Sequence, residues 1–362
     1  MGTMENKCYV YIGTYTNGKS KGIYVLDFNT VTGRLEVAGT SPELENPSYL
    51  AISKDIRFLY AVMETEAYRG EYGGAVGAYS IDRQTGLLTL LNTLPTKGTH
   101  PCHLGVDSGN RFLFVSNYSD GTLSMFPLEN NGYIGNMSSF IRHKGSGPDK
   151  ARQEGPHMHY AALTPDEKYL CAVDLGIDKI NVYGFSPLSG STSASQKLSV
   201  DIRPGSGPRH MEFSPDNKFA YVLTELSSEV VVFKYDPTSC SFHQIQTVST
   251  LPANCNTDNY CAAVHISPAG DFLYASNRGH DSLAVFKIDQ SSGMLEGVSH
   301  VSTRGAYPRD FAIDPSGKFL LAANQYSDTL TGYAIKPGTG EPEFLGTILE
   351  IPSPVCIKFV CL

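Results

Sequence analysis

Tryptophan is absent from this 362-residue chain, which excludes repeat folds whose units are built around a Trp-Asp pair. A basic surface is missing too. Lys and Arg number 28 against 36 Asp and Glu, giving a net charge of −8 and a pI near 5.7, whereas a nucleic acid or an anionic membrane calls for a basic face. No run approaches the ~20 apolar residues that span a bilayer. Met1 through Glu5 and Lys7 lead into a strand-like run without an apolar stretch of signal-peptide length. The expectation is a soluble, cytoplasmic protein. Charged residues make up only 18%, and 35 glycines with 21 prolines suit short strands and tight turns better than long helices. The eight cysteines have no regular spacing. Cys8, Cys171, Cys356 and Cys361 lie in apolar strand-like runs and are expected to be reduced, buried thiols. Cys255 and Cys261 flank a loop and are likewise expected to stay unpaired.

What is present is a repeat. Seven times a proline or small residue opens a short apolar run, a turn follows, and an aromatic-rich run returns. The copies begin at Pro47 (PSYLAISKDIRFLYAV), Pro101, Met158, Pro208 (PRHMEFSPDNKFAYVL), Cys261, Pro308 and, cut short by the C-terminus, Pro354 (PVCIKFVCL). Each copy reads as a β-hairpin, and such units bury their faces only against neighbours, as in a β-propeller. The strand missing from the last copy is found at the other end of the chain, where Tyr11–Gly18 aligns with Phe114–Gly121. The expected fold is an all-β, seven-bladed β-propeller over residues 1–362 as one domain, closed by pairing of the N- and C-terminal strands in one blade.

In this register the start of the first strand and the end of the second surround one mouth of the central channel. The residue after the opening position is Ser48, Cys102, His159, Arg209, Ala262, Arg309 and Val355 around the ring. The residue following the second strand is Tyr15, Glu64, Tyr118, Leu175, Glu225, Arg278 and Gln325. A structural position would repeat one residue type. These differ from blade to blade, and the ionisable ones gather as His159, Arg209, Glu225, Arg278 and Arg309. The plainer reading is a set of ion pairs in which Glu225 satisfies Arg209 or Arg278. Three arginines against one or two carboxylates leave surplus cation, however, and unpaired buried charge is costly. An anionic ligand is indicated, held by arginine forks suited to carboxylate or phosphate. His159 is the group whose proton moves near neutral pH, and Glu225 could orient it or act as base.

His157 and His159 form a His-x-His without a third ligand at supporting spacing, so no metal is expected. His103, His210 and His265 fall in strand interiors and read as core or blade-interface residues. Two stretches interrupt the repeat at this mouth: Glu64–Val76, and Ser138–Pro156, which carries Arg142, Lys144, Lys150 and Arg152. The second reads as a solvated, mobile loop or as a lid over an anionic ligand.

GTYTNGKSKGIY at 13–24, NPSYLA at 46–51, ARQEGPHMH at 151–159, GPRHMEFSPD at 207–216, YASNRGHDS at 274–282 and YPRDFAIDPSG at 307–317 resemble the lactonase family of seven-bladed propellers. That family includes bacterial 6-phosphogluconolactonases and a fungal carboxymuconate lactonizing enzyme. The resemblance runs from about residue 8 to 362. Carried over motif by motif, the His, Arg, Glu and Arg of the site proposed for the fungal enzyme fall on His159, Arg209, Glu225 and Arg278, which the resemblance implies are catalytic. Arg309 and Glu64 join them as substrate-binding candidates from the register, and Gln153 and His157 from the shared ARQ and PH segments. The resemblance implies a carboxylic-ester hydrolase that opens 6-phospho-D-glucono-1,5-lactone in the pentose phosphate pathway, with no cofactor and no metal. The partner it implies is a small anionic lactone, with no nucleic acid and no membrane, on a monomer or weak homodimer. A carboxymuconate-type lactonase or cycloisomerase is the alternative enzyme, and a non-catalytic binding scaffold the alternative of another class.

Overall fold

The computed structural model describes residues 7–186 and 191–362; Met1–Glu5, on which part of the reading of the N-terminus rests, lie outside them. Seven four-stranded antiparallel sheets follow one another around a central channel. They are numbered here as blades one to seven in the order of the copies. Blade two shows the pattern, with Pro101–Val106 innermost, then Phe112–Asn117, Thr122–Pro127 and Ser139–Arg142 at the rim. Blade seven is assembled from both termini. Pro354–Cys361 forms its inner strand and pairs with Cys8–Thr14, which is followed outward by Ile23–Phe28 and Leu35–Ser41. The Cys8–Thr14 strand is thereby paired on both sides and presents no open edge. Among the described residues the sole helical element is a 3₁₀ turn at Gln325–Ser327, and none is long and apolar enough to cross a membrane.

The hairpin turns explain the local fold. In blade four the Ser214 hydroxyl accepts the Phe219 N–H at 3.0 Å, and in blade six the Asp314 carboxylate accepts the N–H groups of Lys318 and Phe319 at 2.8 and 2.7 Å. Both cap a turn whose tightest position, Asn217 or Gly317, has positive φ. Cores lie between adjacent blades. Phe219, Tyr221, Leu223 and Val232 of blade four, for example, pack on Val264, Leu273 and Phe286 of blade five. In place of tryptophan, buried tyrosines span these interfaces. Tyr11, Tyr221 and Tyr274 donate to the carbonyls of Gly86, Gly293 and Gly340 at 2.8, 3.0 and 2.7 Å. Each of these glycines has positive φ and no room for a Cβ beside the neighbouring ring.

One sequence expectation is corrected. Cys8 and Cys361 are not thiols but a disulfide, formed where the first and last strands place them directly opposite each other, with Cα atoms 4.0 Å apart. Their apolar setting was legible; their pairing depends on the closing register across 353 residues. Cys171, Cys356, Cys255 and Cys261 are free.

Candidate active site

A β-bulge sets four side chains of the mouth. In blades two, three, four and six the pairing of inner and second strands loses register just past the opening position: between Pro101 and His103, Met158 and Tyr160, Pro208 and His210, and Pro308 and Asp310. The extra residues are therefore Cys102, His159, Arg209 and Arg309. A bulge re-aims the unpaired residue, which is how one repeat position delivers a thiol, an imidazole and two guanidinium groups to one place. Across from them, the first residue beyond the second strand is held by a backbone bond, as in Glu225 N to Gly207 O at 2.7 Å and Glu64 N to Asn46 O at 3.1 Å.

Glu225 is the hub. Its Oε2 lies 2.7 Å from Nη2 of Arg278 and 3.1 Å from Nε of Arg209, and its Oε1 is 2.5 Å from Nη2 of Arg152. Burial would raise this carboxyl, but Arg278, Arg209, His159 and Arg152 outweigh it and hold it well below the usual carboxylate range. Glu225 is thus a fixed anion. Arg278 also donates to the carbonyls of Tyr260 and Cys261 at 3.1 and 2.9 Å, while Arg209 donates to Ala262 O and, at 3.2 Å, to Nε2 of His210.

The ion pairs of the plainer sequence reading are therefore present, yet they do not balance. Around the mouth stand Arg152, Arg209, Arg278 and Arg309 against Glu225 and Glu64. Glu64 is engaged by Tyr15 Oη, 3.0 Å from both carboxylate oxygens, and by Ser48 Oγ. Arg309 makes no hydrogen bond or ion pair among the described residues. Its guanidinium lies over the Tyr15 ring at 5.4 Å, much as Arg278 lies over Tyr307 at 5.1 Å and Arg152 over Tyr260 at 5.2 Å. Arg209, Arg309, Ser48, Glu64 and Cys102 line a small cavity of about 10 Å³, room for one water.

His159 is buried, with its ring edge-on to Tyr118 and to His210 at 5.5 and 5.3 Å. Burial first and Arg209 second hold it well below the usual imidazole range, so it is neutral at physiological pH. Its Nδ1 lies 3.8 Å from the Cys102 sulfur, and that sulfur is 3.5 Å from the Met158 carbonyl. Burial raises the Cys102 thiol far above its ordinary value, keeping it protonated.

Of the eight candidates only Glu64, Arg209 and Arg309 line the cavity; His159, Glu225 and Arg278 lie beside these groups, and Gln153 and His157 are turned to other tasks. Gln153 is fully buried and donates to Leu175 O at 2.8 Å. His157 stacks on Tyr118 at 4.5 Å, and its ring nitrogens meet Tyr118 O and Glu154 Oε1, both at 3.2 Å. Both brace the 144–157 segment, which is therefore neither a free loop nor an open lid. Among the described residues no three His, Cys, Asp or Glu are grouped to hold a metal. Of the strand-interior histidines, His103 and His210 contact each other and line the channel with Tyr49 and Tyr160, whereas His265 lies between Glu212 and Asp310 at 3.4 Å each.

Sequence reasoning missed Tyr260 and Tyr307 beneath Arg152 and Arg278, and the reach of Arg152. The first could have been found by reading one position earlier in the repeat, where Tyr260 and Tyr307 stand immediately before Cys261 and Pro308. The second had no repeat signal, because Arg152 belongs to an insertion.

The profile of a family described as "Lactonase, 7-bladed beta-propeller" matches residues 9–359. The chain is 41% identical over 350 residues to the 6-phosphogluconolactonase of Bacillus subtilis, covering 97% of both chains. It is 35% identical over 310 residues to that of Formosa agariphila, covering 84% and 86%. Among solved structures, the periplasmic gluconolactonase of Pseudomonas aeruginosa superposes with a TM-score of 0.92 at 34% identity, over 98% of this chain and 99% of that one.

Proposed function

Because this chain belongs to the lactonase family of seven-bladed β-propellers, we propose that it is a carboxylic-ester hydrolase that opens 6-phospho-D-glucono-1,5-lactone to 6-phosphogluconate. The observation that carries the substrate is the charge surplus at the mouth. Four arginines face two carboxylates beside a neutral imidazole, leaving a surplus of about two positive charges in a water-poor setting where they are strongly felt. A phosphate monoester dianion matches that surplus. An uncharged sugar lactone does not.

The chemistry follows from the chain's own groups. If the Cys102 S–H donates to Met158 O, its sulfur accepts the Nδ1–H of His159. The Nε2 lone pair is then free to take a proton from a water attacking the lactone carbonyl carbon. Arg209 and Arg309 line the cavity and would donate to the developing oxyanion. When the tetrahedral intermediate collapses, the acyl C–O bond breaks and the imidazolium returns its proton to the ring oxygen, which leaves as a hydroxyl. Glu225 acts as the ionised anchor that sets three guanidinium groups. A phosphorylated sugar lactone is made and used in the pentose phosphate pathway inside the cell, so this reading carries a cytoplasmic location. There, cellular thiols act on the Cys8–Cys361 bond.

The test is the hydrolysis of freshly generated 6-phosphogluconolactone, corrected for its spontaneous rate, beside glucono-1,5-lactone and a carboxymuconate-type lactone. Preference for the phosphorylated ring by 10-fold or more is expected. Equal rates on the two glucono-lactones would overturn the reading, preference for the muconate-type ring would assign the alternative enzyme, and no acceleration at all would leave a binding scaffold.

A further inference from the structure

Arg152 differs from the other arginines of the mouth in origin, exposure and support. It comes from the insertion between the outer strand of blade two and the inner strand of blade three. Its side chain is 33% exposed, against 3% for Arg209 and 4% for Arg278. Those two are also fixed by backbone carbonyls of blade five, while Arg152 rests on the side chains of Glu225 and Tyr118 and on the Tyr260 ring.

The insertion is built to hold it. At one end buried His143 meets buried Asp174 at 2.6 Å through Nδ1, and the other carboxylate oxygen of Asp174 accepts the His157 N–H at 2.7 Å, clamping both ends of the segment to blade three. Between them the Asp149 carboxylate caps a turn through the N–H groups of Ala151 and Arg152 at 2.9 and 3.2 Å. Gln153 pins that turn to Leu175 O. A backbone fixed in this way loses little further entropy when its side chain engages a ligand.

Resting on the reading of a phosphorylated lactone, we propose that Arg152 is the specificity-determining residue that grips the substrate's distal phosphate at the open rim, while the lactone ring points inward to Arg209, Arg309 and His159. Arg152 can leave Glu225 without orphaning a buried charge, because Arg209 and Arg278 stay on that carboxylate. The exchange replaces one carboxylate contact by a bidentate phosphate contact, for which a guanidinium fork is suited and an ammonium is not. Neither Arg209 nor Arg278 can make this move without giving up its carbonyl acceptors.

The experiment compares kcat/KM on 6-phosphogluconolactone and on glucono-1,5-lactone for the wild type, Arg152→Gln and Arg152→Lys, with thermal melts of each. A charge-assisted contact of this type is worth on the order of 10–100-fold. Arg152→Gln should lose that factor on the phosphorylated lactone, chiefly in KM, with a change of less than about 3-fold on the other. Inhibition of the glucono-lactone reaction by inorganic phosphate should weaken in parallel. If both substrates fall together, Arg152 serves only to hold Glu225 and the proposal is overturned. If the Gln variant does not fold, Arg152→Lys is decisive, since it keeps the charge without the fork: a reduced phosphate preference supports the proposal and an intact one overturns it. A wild type indifferent to the phosphate removes the substrate reading itself, a different failure from an Arg152 variant that keeps the wild-type preference.

Discussion

Replacing Glu225 by glutamine removes the one negative charge that three arginines share while keeping its volume. Arg152 is free to turn to solvent, so the damage falls on Arg209 and Arg278, which are 3% and 4% exposed. Breaking a buried ion pair by removing one partner costs about 3–5 kcal/mol. The lower part of that range applies, because both arginines keep carbonyl acceptors at Ala262, Tyr260 and Cys261. With an unfolding entropy of ~2.1 cal/mol/K per residue, about 0.8 kcal/mol/K for a chain of this length, a loss of about 3 kcal/mol corresponds to a Tm lower by roughly 4 °C. The mouth of the variant then carries about three surplus positive charges, so phosphate or sulfate should restabilise it more than the wild type, by up to ~2.7 kcal/mol at 100 times the dissociation constant. Differential scanning calorimetry at graded phosphate, with sodium chloride matching the ionic strength, measures both effects. A Glu225→Gln protein that melts within 1 °C of wild type and ignores phosphate would refute the view of Glu225 as a neutralising hub.

Three more outcomes follow from the same geometry. With neutral His159 as base, kcat/KM should rise with pH through an apparent pKa below the ordinary imidazole value, since burial and Arg209 lower it. His159→Gln should remove that limb and cost on the order of 10²–10⁴ in rate; a limb that survives in His159→Gln and vanishes in Glu225→Gln would transfer the role. His265 is opposed by burial, but Asp310 and Glu212 prevail and push it up to about 9. Its folded pKa therefore exceeds the unfolded one, and its contribution is complete below about pH 6.5 and lost as pH rises through 9. Urea melts at pH 6 and pH 9.5 should differ by about 1–2 kcal/mol more in wild type than in His265→Gln, and identical differences would exclude this pair as a source. Opening the Cys8–Cys361 bond releases a loop of 353 residues. Because the terminal strands are also held by their ladder, the loss should be about 2–4 kcal/mol and not the ~6 kcal/mol of the bare chain-entropy expression; Cys361→Ser with unchanged Tm would show the ladder to be sufficient alone.

The sequence by itself determined the ring. Six full copies of one hairpin, each with a turn holding Ser, Thr or Asp, leave little choice of fold, because an apolar two-sided sheet can be buried only by its neighbours. The truncated copy at Pro354 likewise announced closure through the termini. The repeat register also isolated His159, Arg209, Glu225, Arg278, Arg309 and Glu64, since a position where the repeat stops repeating is not set by the scaffold. Tertiary structure decided the rest. Whether Cys8 faces Cys361 depends on a strand register between residues 353 apart, which no local pattern encodes. That Glu225 is a fixed anion while His159 is neutral follows from burial and from which guanidinium groups converge, quantities that exist only once the blades are packed. Gln153 and His157 stand out in the sequence because they accompany a site motif, and folding gives them hydrogen bonds that brace a loop. Arg152 looked like one basic residue among several on an insertion, and only the folded path of that insertion, clamped at His143 and His157 to Asp174, carries it to Glu225. Repetition encodes a scaffold locally, residue by residue; a charge site is a sum over distant parts of the chain, and its balance is fixed by distances that folding alone creates.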